Sequence, residues 1–274
     1  MSSRRRLFAR VLLAAVAGYA LLCLVARLAY PRMLFPAPRL DAVPRRAARA
    51  IAAPGGPRLL ELPQPSGPAT RALEWPARDG ERTVVYFHGN GQTMFDELPF
   101  ATELAARGLG VVLVEYRGYG ISYGAPPTED AMYDDAEAAI AHLALPPERV
   151  AVWGFSLGTG VAAEMARRGR AGRVVLVAPY TSIVDMAHRW APFLPVSLIM
   201  SHRFDTLAKA PLVHVPTLVA HGDADEVVPF AMGERVAHAI PGARFVAIAG
   251  GHHMDLFATD PALFDTIVEH VRSP

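Results

Sequence analysis

The chain has 274 residues with 27 basic and 26 acidic side chains, long enough for one substantial core in one large domain or two small ones. The near-balance hides a segregation: residues 1–56 hold ten arginines against a single acid, Asp41, which leaves 17 basic and 25 acidic residues, a net of −8, in 57–274. A domain that acidic repels a phosphate backbone, which argues against nucleic-acid binding, and the single cysteine, Cys23, excludes an internal disulfide or a Cys-ligated metal centre.

From Leu7 to Tyr30 the chain is apolar apart from Arg10 and Arg27, and Val11–Ala26 is uninterrupted. With arginines snorkelling at both ends, this run is long enough for a helix to cross a hydrocarbon layer of ~30 Å. Residues 1–30 are therefore expected to be a membrane anchor. A cleaved signal peptide is the rival reading, since Arg4, Arg5 and Arg6 make a positive n-region, but the run is long for an h-region and no small-x-small site follows it. Leu22 stands where a lipoprotein signal needs a small residue before Cys23. Arginines lie on both sides of the run, so the positive-inside rule does not choose the side; an extracytoplasmic catalytic domain is the expectation. Residues 31–57, rich in Pro, Ala and Arg, read as an extended linker, either solvated or held near an anionic lipid surface.

From about Arg58 the texture changes to alternating strands and helices, expected to form one catalytic domain over 58–274. Strands are predicted at 83–87, 110–116, 149–153, 174–178, 216–220 and 244–248, and helices at 94–107, 127–143, 158–168 and 261–271. Continuous apolar strands alternating with amphipathic helices imply an α/β domain with a mostly parallel sheet covered on both faces. The alternation breaks between Tyr180 and Ala210, where Pro192, Pro195 and the apolar run 193–200 suggest a small cap over the C-terminal edge of the sheet. An ordinary crossover helix with a long loop is the plainer alternative.

Gly154-Phe155-Ser156-Leu157-Gly158 falls between a predicted strand and a predicted helix, the setting in which G-x-S-x-G has mechanical meaning. The turn holds a hydroxyl above the sheet at a helix N-terminus, whose dipole favours developing negative charge. Further stretches, Leu34-Phe35-Pro36, YFHGNG (86–91), EYRGYGISYG (115–124), GFSLGTG (154–160), HGDADEVVP (221–229) and GGHHMD (250–255), complete a resemblance to the α/β-hydrolase superfamily. Within it the chain resembles the single-pass-anchored Bem46-like branch, with a hydrolase domain of the serine aminopeptidase type. The resemblance covers essentially everything from residue 31 onward and implies an α/β-hydrolase fold.

A serine nucleophile needs a base within hydrogen-bond reach and a carboxylate to orient that base, and in this fold they follow in the order Ser, acid, His. Ser156 is thus the expected nucleophile. The resembling pattern H-G-x-x-D-x-x-V-P places the acid at Asp225, with Asp223 as a turn residue capping its loop. In the family motif the histidine directly follows the glycine of the last loop, which selects His252 as the base and leaves His253 facing solvent or the pocket rim. The oxyanion hole is assigned to the backbone N–H groups of Leu157 and Asn90, with Gly91 as the alternative to Asn90. His88 is read as a structural residue that fixes the first loop through hydrogen bonds.

None of the ten histidines stands in an H-x-x-x-H or H-E-x-x-H pattern, and the loop glycines form neither a Walker nor a dinucleotide fingerprint, so neither a metal nor a cofactor is implied. The expected activity is hydrolysis of a carboxylic ester or thioester through an acyl-enzyme. The anchor and the apolar cap favour a lipid-like acyl substrate taken near the bilayer. Alternatives are a serine aminopeptidase-like peptidase, which needs an acidic subsite for the substrate amine, and a non-catalytic binding protein on the same fold.

Overall fold

In the computed structural model, which describes residues 3–64 and 67–273, eight strands form one sheet. They are β1 (Arg58–Leu62), β2 (Thr70–Trp75), β3 (Thr83–Phe87), β4 (Gly110–Glu115), β5 (Val150–Phe155), β6 (Arg173–Val177), β7 (Thr217–Gly222) and β8 (Arg244–Ile248). Their order is β1-β2-β4-β3-β5-β6-β7-β8, with the β1–β2 and β2–β4 pairings antiparallel and all the others parallel. Strands β3 to β7 are buried along almost their whole length, whereas the edge strands β1 and β8 are partly exposed. Parallel strands need crossover helices on both faces, and that double cover is why β3–β7 read as near-continuous apolar runs.

The helices are α1 (Ser3–Leu34), α2 (Arg45–Ala52), α3 (Leu98–Ala106), α4 (Glu129–Leu143), α5 (Leu157–Arg167), α6 (Ile183–Trp190), α7 (Val196–Ile199), α8 (Thr206–Lys209), α9 (Phe230–Ala239), α10 (Leu256–Thr259) and α11 (Ala262–Arg272). Strand residues alternate between two cores with period 2. Val85 and Phe87 of β3 and Val150 and Val152 of β5 face the helices α4, α5 and α9, while Val84, Tyr86, Ala151 and Trp153 face α2, α3 and α11.

The C-terminal ends of β3, β5, β7 and β8 open on the same edge. The chain runs from β3 outward to β4 and returns on the other side of β3 as β5, so the β3–β5 boundary is a topological switch point, where open sheets of this kind form a crevice. Residues 180–210, between β6 and β7, fold as α6, α7 and α8, and α6 and α7 lie over that edge.

Three local expectations differ from the structure. The segment 31–57 is not an extended linker. Helix α1 continues through Pro31, the bridge Arg39–Gly120 ties the chain to the turn after β4, and α2 packs on the domain with Ala47 fully buried. Ala47 and Ile51, spaced by four, supply the packed face of α2, extended by Val43 just before the helix, and Arg46 bonds the carbonyl of Phe95 and the carboxylate of Asp96. Strands β1 and β2 were not anticipated, because the prolines and glycine between them mask a short antiparallel pair. Helix α9 was missed for a similar reason: Gly233 interrupts its pattern.

One buried ion pair locks the crevice side of α4 to the sheet. Asp135 on α4 accepts from the Arg117 backbone N–H at 2.7 Å and from its guanidinium at 2.9 Å. Burial pushes the Asp135 carboxyl up to about 6, against the opposing pull of Arg117. Removing only the cation leaves a buried carboxylate without its main partner, so Arg117→Ala is expected to cost about 3–5 kcal/mol of stability. The double variant Arg117→Met/Asp135→Leu is expected to recover most of that loss, as read from thermal unfolding of the two variants against wild type.

Candidate active site

Ser156 is the N-cap of α5 and directly follows β5, with φ +50° and ψ −117°. That backbone is strained for any residue with a Cβ and persists only when its surroundings hold it. Here the Ser156 N–H bonds the Val177 carbonyl at 2.9 Å, and α5 is buried along nearly all of its length. The flanking glycines are a steric requirement: a Cβ on Gly154 would lie 2.3 Å from the Gly158 carbonyl oxygen, and one on Gly158 would lie 2.0 Å from that of Phe87. Helix and strand can approach this closely only where both side chains are absent.

The histidine brought to Ser156 is His253, which corrects the assignment of His252. Nε2 of His253 lies 3.0 Å from Oγ of Ser156, and Nδ1 lies 2.7 Å from Oδ2 of Asp225. His253 is buried, and its ring packs 5.1 Å from that of Phe155. His252 instead points outward and pairs with the exposed Glu226 at 3.1 Å, which raises the His252 imidazole above its usual value. The reason lies in the loop after β8. Asp223 accepts from the Gly250 N–H at 2.7 Å and Asp255 from the His252 N–H at 2.7 Å. These two bonds set the turn so that the second histidine faces the sheet edge.

Asp225 and Asp223 separate as the loop pattern implies. Oδ1 of Asp225 accepts from the N–H groups of Val227 and Val228, both at 2.8 Å, while Oδ2 faces His253 and also His221 Nε2 at 3.3 Å. Burial favours the neutral acid, yet the hydrogen bonds from His221 and His253, the His253 charge and the Val228 amide outweigh it and hold the Asp225 carboxyl well below the usual range. Asp223 is exposed and ties the β7 and β8 loops together.

His221 is a site residue that sequence reasoning did not single out. Its Nε2 lies 3.0 Å from the Val228 carbonyl, which can only accept, so Nε2 carries the proton and donates to both Val228 and Asp225. Its buried Nδ1 has no hydrogen-bond partner among the described residues and sits where a Cβ on Gly233 would be 2.1 Å away. The available signal was the i, i+4 spacing of His221 and Asp225 across the β7 turn.

His88 is buried, with Nδ1 at 2.9 Å from the Gly89 carbonyl and Nε2 at 3.1 Å from the Glu115 carboxylate. It has no bond to Ser156; it braces the β3 loop, helped by Tyr116, which donates to the His88 carbonyl at 3.0 Å. The same loop holds Asn90, whose amide donates to the Leu34 carbonyl at 2.7 Å and whose Oδ1 accepts from Tyr119 at 2.9 Å. Asn90, Ser156 and Leu157 line one cavity of about 450 Å³. The rest of its wall is apolar, supplied by α6 and α7 on one side and by Ala26, Tyr30, Met33 and Leu34 of α1 on the other. Among the described residues no cluster of three or more His, Cys, Asp or Glu side chains is suited to hold a metal ion.

Comparison with known proteins bears on the fold. Residues 79–208 match the family described as "Serine aminopeptidase, S33". An uncharacterised protein of Mycobacterium tuberculosis is 33% identical over 187 residues, covering 66% of this chain and 64% of that protein. The matched region thus spans just under two thirds of that relative's length. A lysophosphatidylserine lipase of Danio rerio is 27% identical over 224 residues, 70% of this chain and 58% of the lipase. Among solved structures, an esterase of Pyrococcus furiosus superposes with a TM-score of 0.65 at 18% identity, over 86% of this chain and 96% of the esterase. The strand order, the strand–turn–helix around Ser156 and the cap between β6 and β7 together establish that this chain has the α/β-hydrolase fold.

Proposed function

We propose that the chain is a serine hydrolase that cleaves a carboxylic ester or thioester with an apolar acyl group. The observation that carries the reading is the continuous chain Ser156 Oγ, His253, Asp225, with steps of 3.0 and 2.7 Å, at the floor of an apolar cavity. In this reading Ser156 attacks the acyl carbonyl carbon while Nε2 of His253 takes the hydroxyl proton. Asp225, kept ionised by its donors, holds the Nδ1–H tautomer and stabilises the imidazolium that forms. The backbone N–H groups of Leu157, at the positive end of α5, and of Asn90 are assigned to the oxyanion. His253 then protonates the departing alcohol or thiol, and an acyl-enzyme remains. A water that gives its proton to His253 attacks that acyl group, and collapse of the second tetrahedral intermediate returns Ser156 and releases the acid.

The lipase and esterase likenesses support an ester-type substrate, and the apolar wall supports a hydrocarbon acyl chain over a peptide. The family description makes aminopeptidase activity the alternative. It requires a carboxylate to receive the substrate amine, and among the described residues no Asp or Glu lines the cavity. Helix α1, long and apolar enough to cross a membrane, supports a membrane-anchored enzyme of the Bem46-like kind, with the bilayer as its partner.

Ser156→Ala is expected to abolish both hydrolysis of short p-nitrophenyl esters and labelling by a fluorophosphonate. A folded wild-type protein showing neither would support a non-catalytic binding role. The two histidines give a sharper test. His253→Ala is expected to lower kcat/KM at least about a thousandfold, since a triad member is lost. His252→Ala is expected to change it less than about fivefold, because an exposed ion pair contributes only ~0–1 kcal/mol. The reverse ranking overturns the assignment.

Asp225 gives a further test through pH. Its carboxyl sits lower in the folded than in the unfolded chain, so its stabilisation is complete above the unfolded value, about 4, and is lost as pH falls below it. The unfolding temperature of wild type is therefore expected to fall more steeply than that of Asp225→Asn between roughly pH 5 and pH 2. Parallel curves would show that the carboxylate is not held as described.

A further inference from the structure

Helix α1 and the cap share a seam whose direction is informative. Tyr19 donates to the Phe193 carbonyl at 2.8 Å, Arg27 to the Ile199 carbonyl at 2.8 Å, and Tyr30 bonds the Ser201 hydroxyl at 2.7 Å and accepts from the Ser201 N–H at 3.0 Å. Down α1 the partners advance along the cap in the same order, so the α6–α7 turn around Phe193 reaches furthest toward the N-terminal part of α1. Arg27 ends the uninterrupted apolar run, and Tyr19 lies eight residues inside it, about 12 Å along the helix axis. If α1 spans the bilayer, Phe193 lies roughly that far beyond the level where Arg27 meets the headgroups.

The surface of that turn suits such a place. Trp190, Phe193 and Leu198 are 73%, 64% and 84% exposed, and residues 190–200 contain no charged side chain. Arg27, bonded to the Ile199 carbonyl at the end of this stretch, is a cation suited to anionic headgroups. Exposed aromatic and aliphatic side chains beside a membrane-length helix are the composition of an interfacial insertion, which reaches ~5–10 Å into the acyl boundary. The cavity adjoins the level of Arg27, because its α1 wall begins at Ala26. Trp190 of the cap and Met33 of α1 both line it, and both are largely exposed, so its mouth lies between the two elements.

We infer that the cap is seated in the bilayer beside α1, and that the acyl group enters the cavity laterally between α1 and α6, so the anchor helix is also a wall of the acyl site. The inference rests on the reading of α1 as a membrane span and of the cavity as an acyl-binding site. An acyl chain then passes from the bilayer into an equally apolar cavity, without crossing water, and its carbonyl meets Ser156 at the cavity floor.

Trp190 provides a test independent of catalysis, because the other two tryptophans, Trp75 and Trp153, are buried. The full chain is placed in phosphatidylcholine nanodiscs whose acyl chains carry bromine either near the carbonyl or near the terminal methyl. The Trp190 contribution is read as the difference between wild type and Trp190→Phe. It is expected to be quenched, more strongly by the bromines near the carbonyl. Unquenched Trp190 emission overturns the inference, whether Trp190 faces water or a second copy covers it, the latter appearing as a dimer by particle mass.

A second arm uses Leu198→Asp, at a position that does not line the cavity. Hydrolysis of a long-chain ester carried in phosphatidylcholine vesicles is expected to fall about tenfold or more, since a charge replaces a lipid-facing leucine. Hydrolysis of a soluble short-chain ester is expected to stay unchanged. A fall on both substrates alike, or on neither, counts against lateral entry. A wild-type protein inactive on both esters and unlabelled by a fluorophosphonate defeats the hydrolase reading instead, and the Trp190 measurement then still decides where the cap sits.

Discussion

Ser156 adopts a backbone conformation, φ +50°, that costs about 1–3 kcal/mol and that an isolated peptide would abandon. The fold supplies what holds it there: β5 fixed between β3 and β6, α5 buried against the sheet, and two glycines that let strand and helix approach within van der Waals contact. The strain has a chemical use. It lifts the hydroxyl clear of the sheet at the N-terminal end of α5, where N–H groups without helical partners can meet developing negative charge. The rest of the site is built to reach that one hydroxyl.

The carboxylate of Asp225 is the second fixed point, and its environment divides the work among its neighbours. Two backbone amides hold one oxygen, while two imidazoles approach the other. The imidazoles are not equivalent. His221 is buried and, among the described residues, its ring nitrogens hydrogen-bond only Asp225 and the Val228 carbonyl, so it orients the carboxylate. His253 alone reaches both Asp225 and Ser156. His88, a third buried histidine, is spent on the Gly89 carbonyl and Glu115, and so braces the loop that presents Asn90.

The N-terminal arm is continuous with this machinery. Asn90, which lines the same cavity as Ser156, donates to the carbonyl of Leu34, the last residue of α1. Residues 38–40 pair with the turn at Gly120, and α2 packs against Met94 and Phe95. The helix that reads as an address in the sequence therefore contacts the loop after β3 and the segment between β6 and β7 in the folded chain. Movement of α1 would be felt at Asn90 and at the cavity wall together.

Much of this was legible in one dimension. The apolar strands β3 to β8, the elbow at Ser156 and the helix α1 are encoded locally, by periodicity and by paired glycines, while the preference for Asp225 over Asp223 comes from the resemblance of the 221–229 loop to a family pattern. What the sequence could not decide depends on distance across the fold. Adjacent histidines project in different directions, and whether His252 or His253 faces Ser156 is set by a bond within the last loop, from His252 to Asp255, together with one from Gly250 to Asp223 that joins it to a loop remote in sequence. The folded character of residues 31–57 likewise depends on surfaces of β4 and α3 that the segment does not contain. The sequence by itself determined the chemistry available, a serine on a strained turn with an acid and a histidine in the right order; only the tertiary structure decided which histidine, because side-chain direction is a property of the closed loop and not of its letters.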